Sequence, residues 1–134
     1  MQPGDTLIVA DGIYAETLSP TVSGAEGYPI TIIAENRGEA IIEKSEDGSA
    51  ISILSSVSKT LSYITIDGFI ARSKGENSAI VVGSTDNIAE EFMSNHITIR
   101  NTGAFGSADQ TNTVVVAIAR TRDSLFEDMW AYGY

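Results

Sequence analysis

The chain has 134 residues, enough for one domain at most, and with 43% hydrophobic residues it has the composition of a folded protein rather than a disordered one. A net charge of −10 and a pI near 4.3 argue against a nucleic-acid partner, which needs a basic face. With no cysteine, disulfide frameworks, zinc–thiolate sites and cysteine nucleophiles are excluded.

Pro3-Gly4-Asp5-Thr6 is a turn, because proline presets φ and glycine supplies a permissive position. Leu7 to Ala10 follows as a strand, stopped at Asp11-Gly12, and Ile13-Tyr14 resumes extended chain. Ser23 to Pro29 is a loop with two glycines and a proline that cannot donate to a ladder. Ile30 to Ala34 and Ala40 to Glu43 are strands around a turn at Asn36-Arg37-Gly38. After a turn at Ser45 to Gly48, Ala50 to Leu54 alternates as a half-buried strand does. A Ser-rich connection leads to a strand over Tyr63 to Phe69. Lys74 to Asn77 is a turn, and Ala79 to Val82 is a strand. Asp86 to Ser94 is the one segment that suits a short helical turn. His96 to Asn101 is a strand, Gly103 to Asn112 a loop, Thr113 to Ala119 a strand, and Ser124 onward the last. No apolar run approaches the length of a membrane span. Met1 to Gly4 has neither the basic start nor the apolar core of a signal peptide.

One stretch recurs. Ile64-Thr65-Ile66-Asp67-Gly68-Phe69 shares its start with Ile30-Thr31-Ile32 upstream and Ile97-Thr98-Ile99 downstream, with a diverged copy at Leu125 to Asp128. Aligning Ile66, Ile99 and Phe126 gives steps of 33 and 27 residues. Arg100 to Gly106 then matches Glu127 to Gly133 in shape: polar pair, spacer, small residue, aromatic, glycine. Self-similarity at such a period marks a solenoid, and these units are short β-branched strands. The fold expected is all-β: a right-handed parallel β-helix of about four to five circuits, one domain over 1–134, each circuit stacked on the last. Ile64, Ile66, Ile97 and Ile99 face inward. Thr65, Thr98, Asp67 and Arg100 face outward, so Asp67, Arg100 and Glu127 form an exposed ladder of alternating charge. Gly68, Asn101 and Asp128 take the bend after the strand, where residue types that tolerate left-handed backbone belong.

The N-terminal run carries a family likeness. Pro3-Gly4-Asp5-Thr6, Asp11-Gly12-x-Tyr14, Gly24-x-x-Gly27-x-Pro29-Ile30-Thr31-Ile32 and Ala34-Glu35-Asn36-x-Gly38 resemble the opening of the pectin-lyase-like β-helix superfamily. Its closest branch here is the chondroitinase-B-like and alginate-lyase-like polysaccharide lyases. Tyr63 to Phe69 and Glu127-Asp128-x-Trp130-Ala131-x-Gly133 resemble segments of secreted β-helix proteins. The resemblance implies the N-terminal, incomplete part of a longer carbohydrate-active domain, extracellular or on a cell surface or in the periplasm. Its partner would be an acidic polysaccharide, cleaved by β-elimination with calcium in the full-length protein. The family's catalytic motifs match no stretch of this chain, so the segment alone is expected to be inactive. A non-catalytic surface adhesin, or a phage-type structural or glycan-binding β-helix, is the alternative. Uncapped coils also suggest end-to-end self-association.

Candidate site residues follow from chemistry. Arg100, Arg120 and Arg122 suit bidentate contact with an acidic sugar, against a salt-bridged or solvated role. Trp130 and Tyr132 suit stacking on a sugar ring, against packing at a corner. Asn101, Glu127 and Asp128 suit a hard cation, provided the bend falls between the two adjacent carboxylates. His96, the only histidine, has no catalytic partner signature beside it. The recurrent Thr31, Thr65 and Thr98 lack the regular Thr-x-Thr face that ice binding needs, because charges intervene.

Overall fold

The computed structural model describes residues 1–44, 48–74, 77–85, 88–106 and 114–132. The chain winds in coils. The first holds β1 (Thr6–Val9) and β2 (Gly12–Tyr14), and Leu18 bridges to Ile51 of the next. The second holds β3 (Ile30–Ala34), β4 (Ala40–Lys44) and β5 (Ile51–Ser55). The third holds β6 (Ser62–Asp67), β7 (Phe69–Ser73) and β8 (Ile80–Ser84). The fourth holds β9 (Ser94–Arg100), β10 (Gly103–Phe105) and β11 (Val116–Ala119). A further winding begins with β12 (Thr121–Arg122), β13 (Leu125–Glu127) and β14 (Trp130–Tyr132). Strands one coil apart pair in parallel to build three sheets. Sheet A runs β1-β3-β6-β9 and ends on β12 and β13. Sheet B is β2-β4-β7-β10-β14, and sheet C is β5-β8-β11. The molecule is a parallel β-solenoid of about four turns.

The recurrent stretch sets the register. Ile32 pairs with Ile66, Ile66 with Ile99, and Ile99 with Phe126. Ile64, Ile66, Ile97 and Ile99 are fully buried, and Thr65 and Thr98 alternate with them on the outside. Period-2 alternation of β-branched residues therefore does two things: it favours extended chain and it fills the solenoid interior. Ile30, Ile51, Ile53, Phe69, Ile80 and Val82 complete the same core from the three sheets.

Left-handed residues turn the corners. Gly68, Asn101 and Asp128 stand one above another at φ of 85°, 52° and 49°, as the repeat alignment expects. A second column, Tyr63, His96 and Asp123, lies at 54°, 51° and 50° and bends the chain within sheet A. Here the Tyr63 and His96 rings stack, with centroids 4.4 Å apart and planes 11° from parallel. Serines secure the corner from sheet C into sheet A. The Ser55 and Ser94 hydroxyls bond each other at 2.8 Å, and Ser55 Oγ also accepts from the Leu61 amide at 2.8 Å. Ser94 further donates to the Gly83 carbonyl.

Several boundaries differ from the sequence reading. The strand over Tyr63 to Phe69 is two strands, because Gly68 at positive φ breaks it. Gly103–Phe105 is strand β10 rather than the start of a loop, since pairing with β7 and β14 overrides the Gly-rich composition. The strand placed at Thr113 to Ala119 begins at Val116. The helical turn is a short 3-10 piece at Glu90–Phe92. The expected turns at Ser45 to Asp47 and Gly75-Glu76, and the loop from Ser107 to Asn112, lie outside the described residues.

Candidate functional site

The outer face of sheet B is built from alternate residues of its strands. Ile13, Ile41, Ile70, Gly103 and Trp130 share one column, and Glu43, Arg72, Phe105 and Tyr132 the next. The intervening column, Tyr14, Ile42, Ala71, Ala104 and Ala131, carries the buried Ile42, Ala71 and Ala104. Trp130 and Tyr132 therefore emerge on the same side, 40% and 60% exposed. Phe105 lies against Tyr132, with centroids 6.3 Å apart and planes tilted by 32°. The Arg72 guanidinium stands 5.9 Å from the centre of the Phe105 ring. That of Arg37, from the corner between β3 and β4, stands 5.8 Å from the centre of the Trp130 ring. Three aromatic side chains and two guanidinium groups thus share one exposed surface.

Electrostatics at the edge of this surface are set by Glu43. It accepts from Lys74 Nζ at 2.7 Å and lies 3.6 Å from Arg72 Nη1. The Lys74 hydrogen bond holds the Glu43 carboxyl below its ordinary value against the opposing effect of burial, with further help from the charges of Lys74 and Arg72.

The other sequence-derived candidates lie elsewhere. Arg100 ends β9 on sheet A, and its Nε donates to Asp67 Oδ2 at 2.7 Å. Asn101 Nδ2 donates to the other carboxylate oxygen at 2.8 Å. Asp67 itself is only 7% exposed, which corrects the expectation of a fully exposed charge ladder. The bend at Gly68 draws its carboxylate under the next coil, where the two donors of Arg100 and Asn101 satisfy it. Glu127 pairs in register above Arg100, but among the described residues no ion pair within 4 Å joins them. Arg120 is an exposed corner residue whose carbonyl accepts from Ser84. Arg122 Nη1 lies 3.6 Å from Glu90, beside a shallow depression lined by Ala89, Glu90, Glu91 and Arg122. None of these three arginines is in the aromatic cluster of sheet B.

The bend after β13 does fall at Asp128, directly after Glu127, as joint ligation of a cation would require. Asn101 donates its amide nitrogen to Asp67, and Glu127 pairs in register with Arg100. Among the described residues no three His, Cys, Asp or Glu side chains group as a metal site. His96 is exposed, stacked on Tyr63 and bonded to its neighbour Asn95 at 2.9 Å.

Sequence reasoning reached Trp130 and Tyr132, and its repeat alignment already set Tyr132 over Phe105. It missed Arg37 and Arg72. Arg72 was findable from the same register, since it stacks under Phe105. Arg37 was not, because a corner residue that leans along the solenoid axis leaves no period to follow. No protein-family model matches the chain, and no curated protein matches it.

Proposed function

We propose that this β-solenoid is a glycan-binding segment of a secreted or surface-displayed carbohydrate-active protein, of the polysaccharide-lyase-like kind its N-terminal motifs resemble. The observation that carries this reading is the shared exposed face of Trp130, Tyr132 and Phe105 with Arg37 and Arg72 beside them. Aromatic rings give flat apolar area for the C–H faces of a sugar, and guanidinium groups match the planar fork of a uronate carboxylate. Arg37, which forms no ion pair among the described residues, offsets locally the repulsion that a chain of net charge −10 exerts on an acidic polymer. Binding is what these residues can do. β-Elimination also needs a group to take a proton from the sugar, and protonated guanidinium groups are poor bases at neutral pH. A non-catalytic adhesin or phage-type β-helix would use the same face, and the formation of product separates the two.

The test is affinity electrophoresis in gels containing alginate, pectate or dermatan sulfate, with absorbance of the unsaturated uronide followed in parallel, with and without chelator. Wild-type protein is expected to be retarded by at least one polymer, and Trp130→Ala or Tyr132→Ala to weaken binding about tenfold, a loss of roughly 1.4 kcal/mol. Equal mobility in all gels, or a Trp130→Ala variant retarded as strongly as wild type, defeats the proposal.

A further inference from the structure

One guanidinium on this face is in no ion pair among the described residues. Arg37 is exposed at the corner between β3 and β4, flanked in sequence by Glu35 and Glu39. Among the described residues it forms no ion pair, whereas Arg72, Arg100 and Arg122 each do. What it meets instead is the Trp130 ring. Their coils are three apart, roughly 14 Å at the spacing of paired strands. Neither side chain spans that distance alone, so both lie along the solenoid axis. Gly103 explains how the indole can do so. A Cβ at that position would stand 2.5 Å from Trp130 Nε1, 2.6 Å from Trp130 Cε2 and 2.9 Å from Ile70 Cδ1. The ring occupies space that only a glycine leaves.

We propose that Arg37, seated on Trp130 above Gly103, is an anion-reading subsite that takes the carboxylate or sulfate group of a bound saccharide. This rests on the glycan-binding reading and adds to it the residue that discriminates charge. A guanidinium laid against an aromatic ring keeps its in-plane N–H edge open for a bidentate contact. The ring contact also restrains the side chain beforehand, so less freedom is lost on binding. The charge distribution supports the same assignment. On a molecule of net charge −10, an anion is drawn to a surface only by a cation that no carboxylate has neutralised. Gly103 is the positioning residue: it acts through the indole and touches no ligand.

Trp130 is the only tryptophan, so fluorescence reports from this subsite alone. Iodide and acrylamide quenching compare an anion with a neutral probe. Replacing Arg37 by Gln is expected to lower the iodide quenching constant about twofold or more, because the local field that concentrates the anion is lost. The acrylamide constant and the far-UV spectrum should stay as in wild type. In parallel, wild type should bind pectate more tightly than carboxyl-reduced pectate, and Arg37→Gln should lose about fivefold or more on pectate alone. Gly103→Ala should shift the Trp130 emission and weaken both polymers; if that variant does not fold, the Arg37 comparison decides by itself. An unchanged iodide constant in Arg37→Gln, or an unchanged preference for pectate, overturns the subsite. An Arg37-dependent iodide effect in a protein that binds none of alginate, pectate and dermatan sulfate supports the anion subsite and overturns the glycan reading.

Discussion

Asn101 offers a sensitive probe of the stacked corners. Its backbone sits at φ 52°, directly above Gly68 and below Asp128, and its side chain donates to the buried Asp67. Both Asn101→Gly and Asn101→Ala remove that donor. The loss of a hydrogen bond to a charged group costs roughly 1.5–3 kcal/mol. For glycine the remaining effects nearly cancel. Relief of the left-handed backbone is offset by the greater freedom of the unfolded chain, about 0.5–1 kcal/mol. Asn101→Gly should therefore cost about 2 kcal/mol. Alanine keeps a Cβ that the left-handed conformation penalises by roughly 1–2 kcal/mol, so Asn101→Ala should cost about 3–4 kcal/mol. The sign is the discriminating feature, because in regular strand glycine is the worse residue by about 0.5–1 kcal/mol. Urea unfolding followed by far-UV circular dichroism and by Trp130 fluorescence measures both variants. An Asn101→Ala protein more stable than Asn101→Gly would show that this residue does not hold a left-handed corner.

Inward and outward positions of one strand should separate sharply. Ile66 is fully buried, so Ile66→Ala should cost about 2–5 kcal/mol. Its neighbour Thr65 is half-buried on the outside, and Thr65→Ala should stay within about 0.5 kcal/mol in the same urea titration. Comparable losses at both positions would contradict the alternation. The Glu43–Lys74 pair should show in the pH dependence of stability. The Glu43 carboxyl lies below its ordinary value of 4.5 when folded, so its contribution is present above that value and is lost as pH falls through the folded one. Lys74→Gln should thus cost about 0.5 kcal/mol at pH 7, the scale of an exposed pair. The gap from wild type should close in acid, and a gap that widens instead would refute the pairing.

The fold was legible because the same three residues, Ile-Thr-Ile, mark three successive coils in β3, β6 and β9. Their spacing set the register of sheet A, and the match of Arg100 to Gly106 with Glu127 to Gly133 set that of β10 and β14. Strand β10 was still missed, since Gly103 and Gly106 look like loop residues until one sees that Trp130 lies across the first of them. The burial of Asp67 was missed for a related reason. Alternation assigns a direction to a side chain, but the bend at Gly68 and the reach of Arg100 and Asn101 decide whether water follows it. At the candidate site, sequence supplied the aromatics of β14 and structure supplied their cations. Arg37 and Trp130 are 93 positions apart and meet only because the coils stack.

Stacking of the coils in this register is tested most directly by disulfide capture, which is clean in a chain without cysteine. Thr31 pairs with Thr65 and Thr65 with Thr98, so each pair replaced by cysteine should close under mild oxidation. Thr65 and Leu125 belong to coils two apart, roughly 10 Å, and should not close, because the bridge fails beyond about 7 Å between Cα atoms. Failure of both one-coil pairs, or equally ready closure of the two-coil pair, would mean that these strands do not lie one above another.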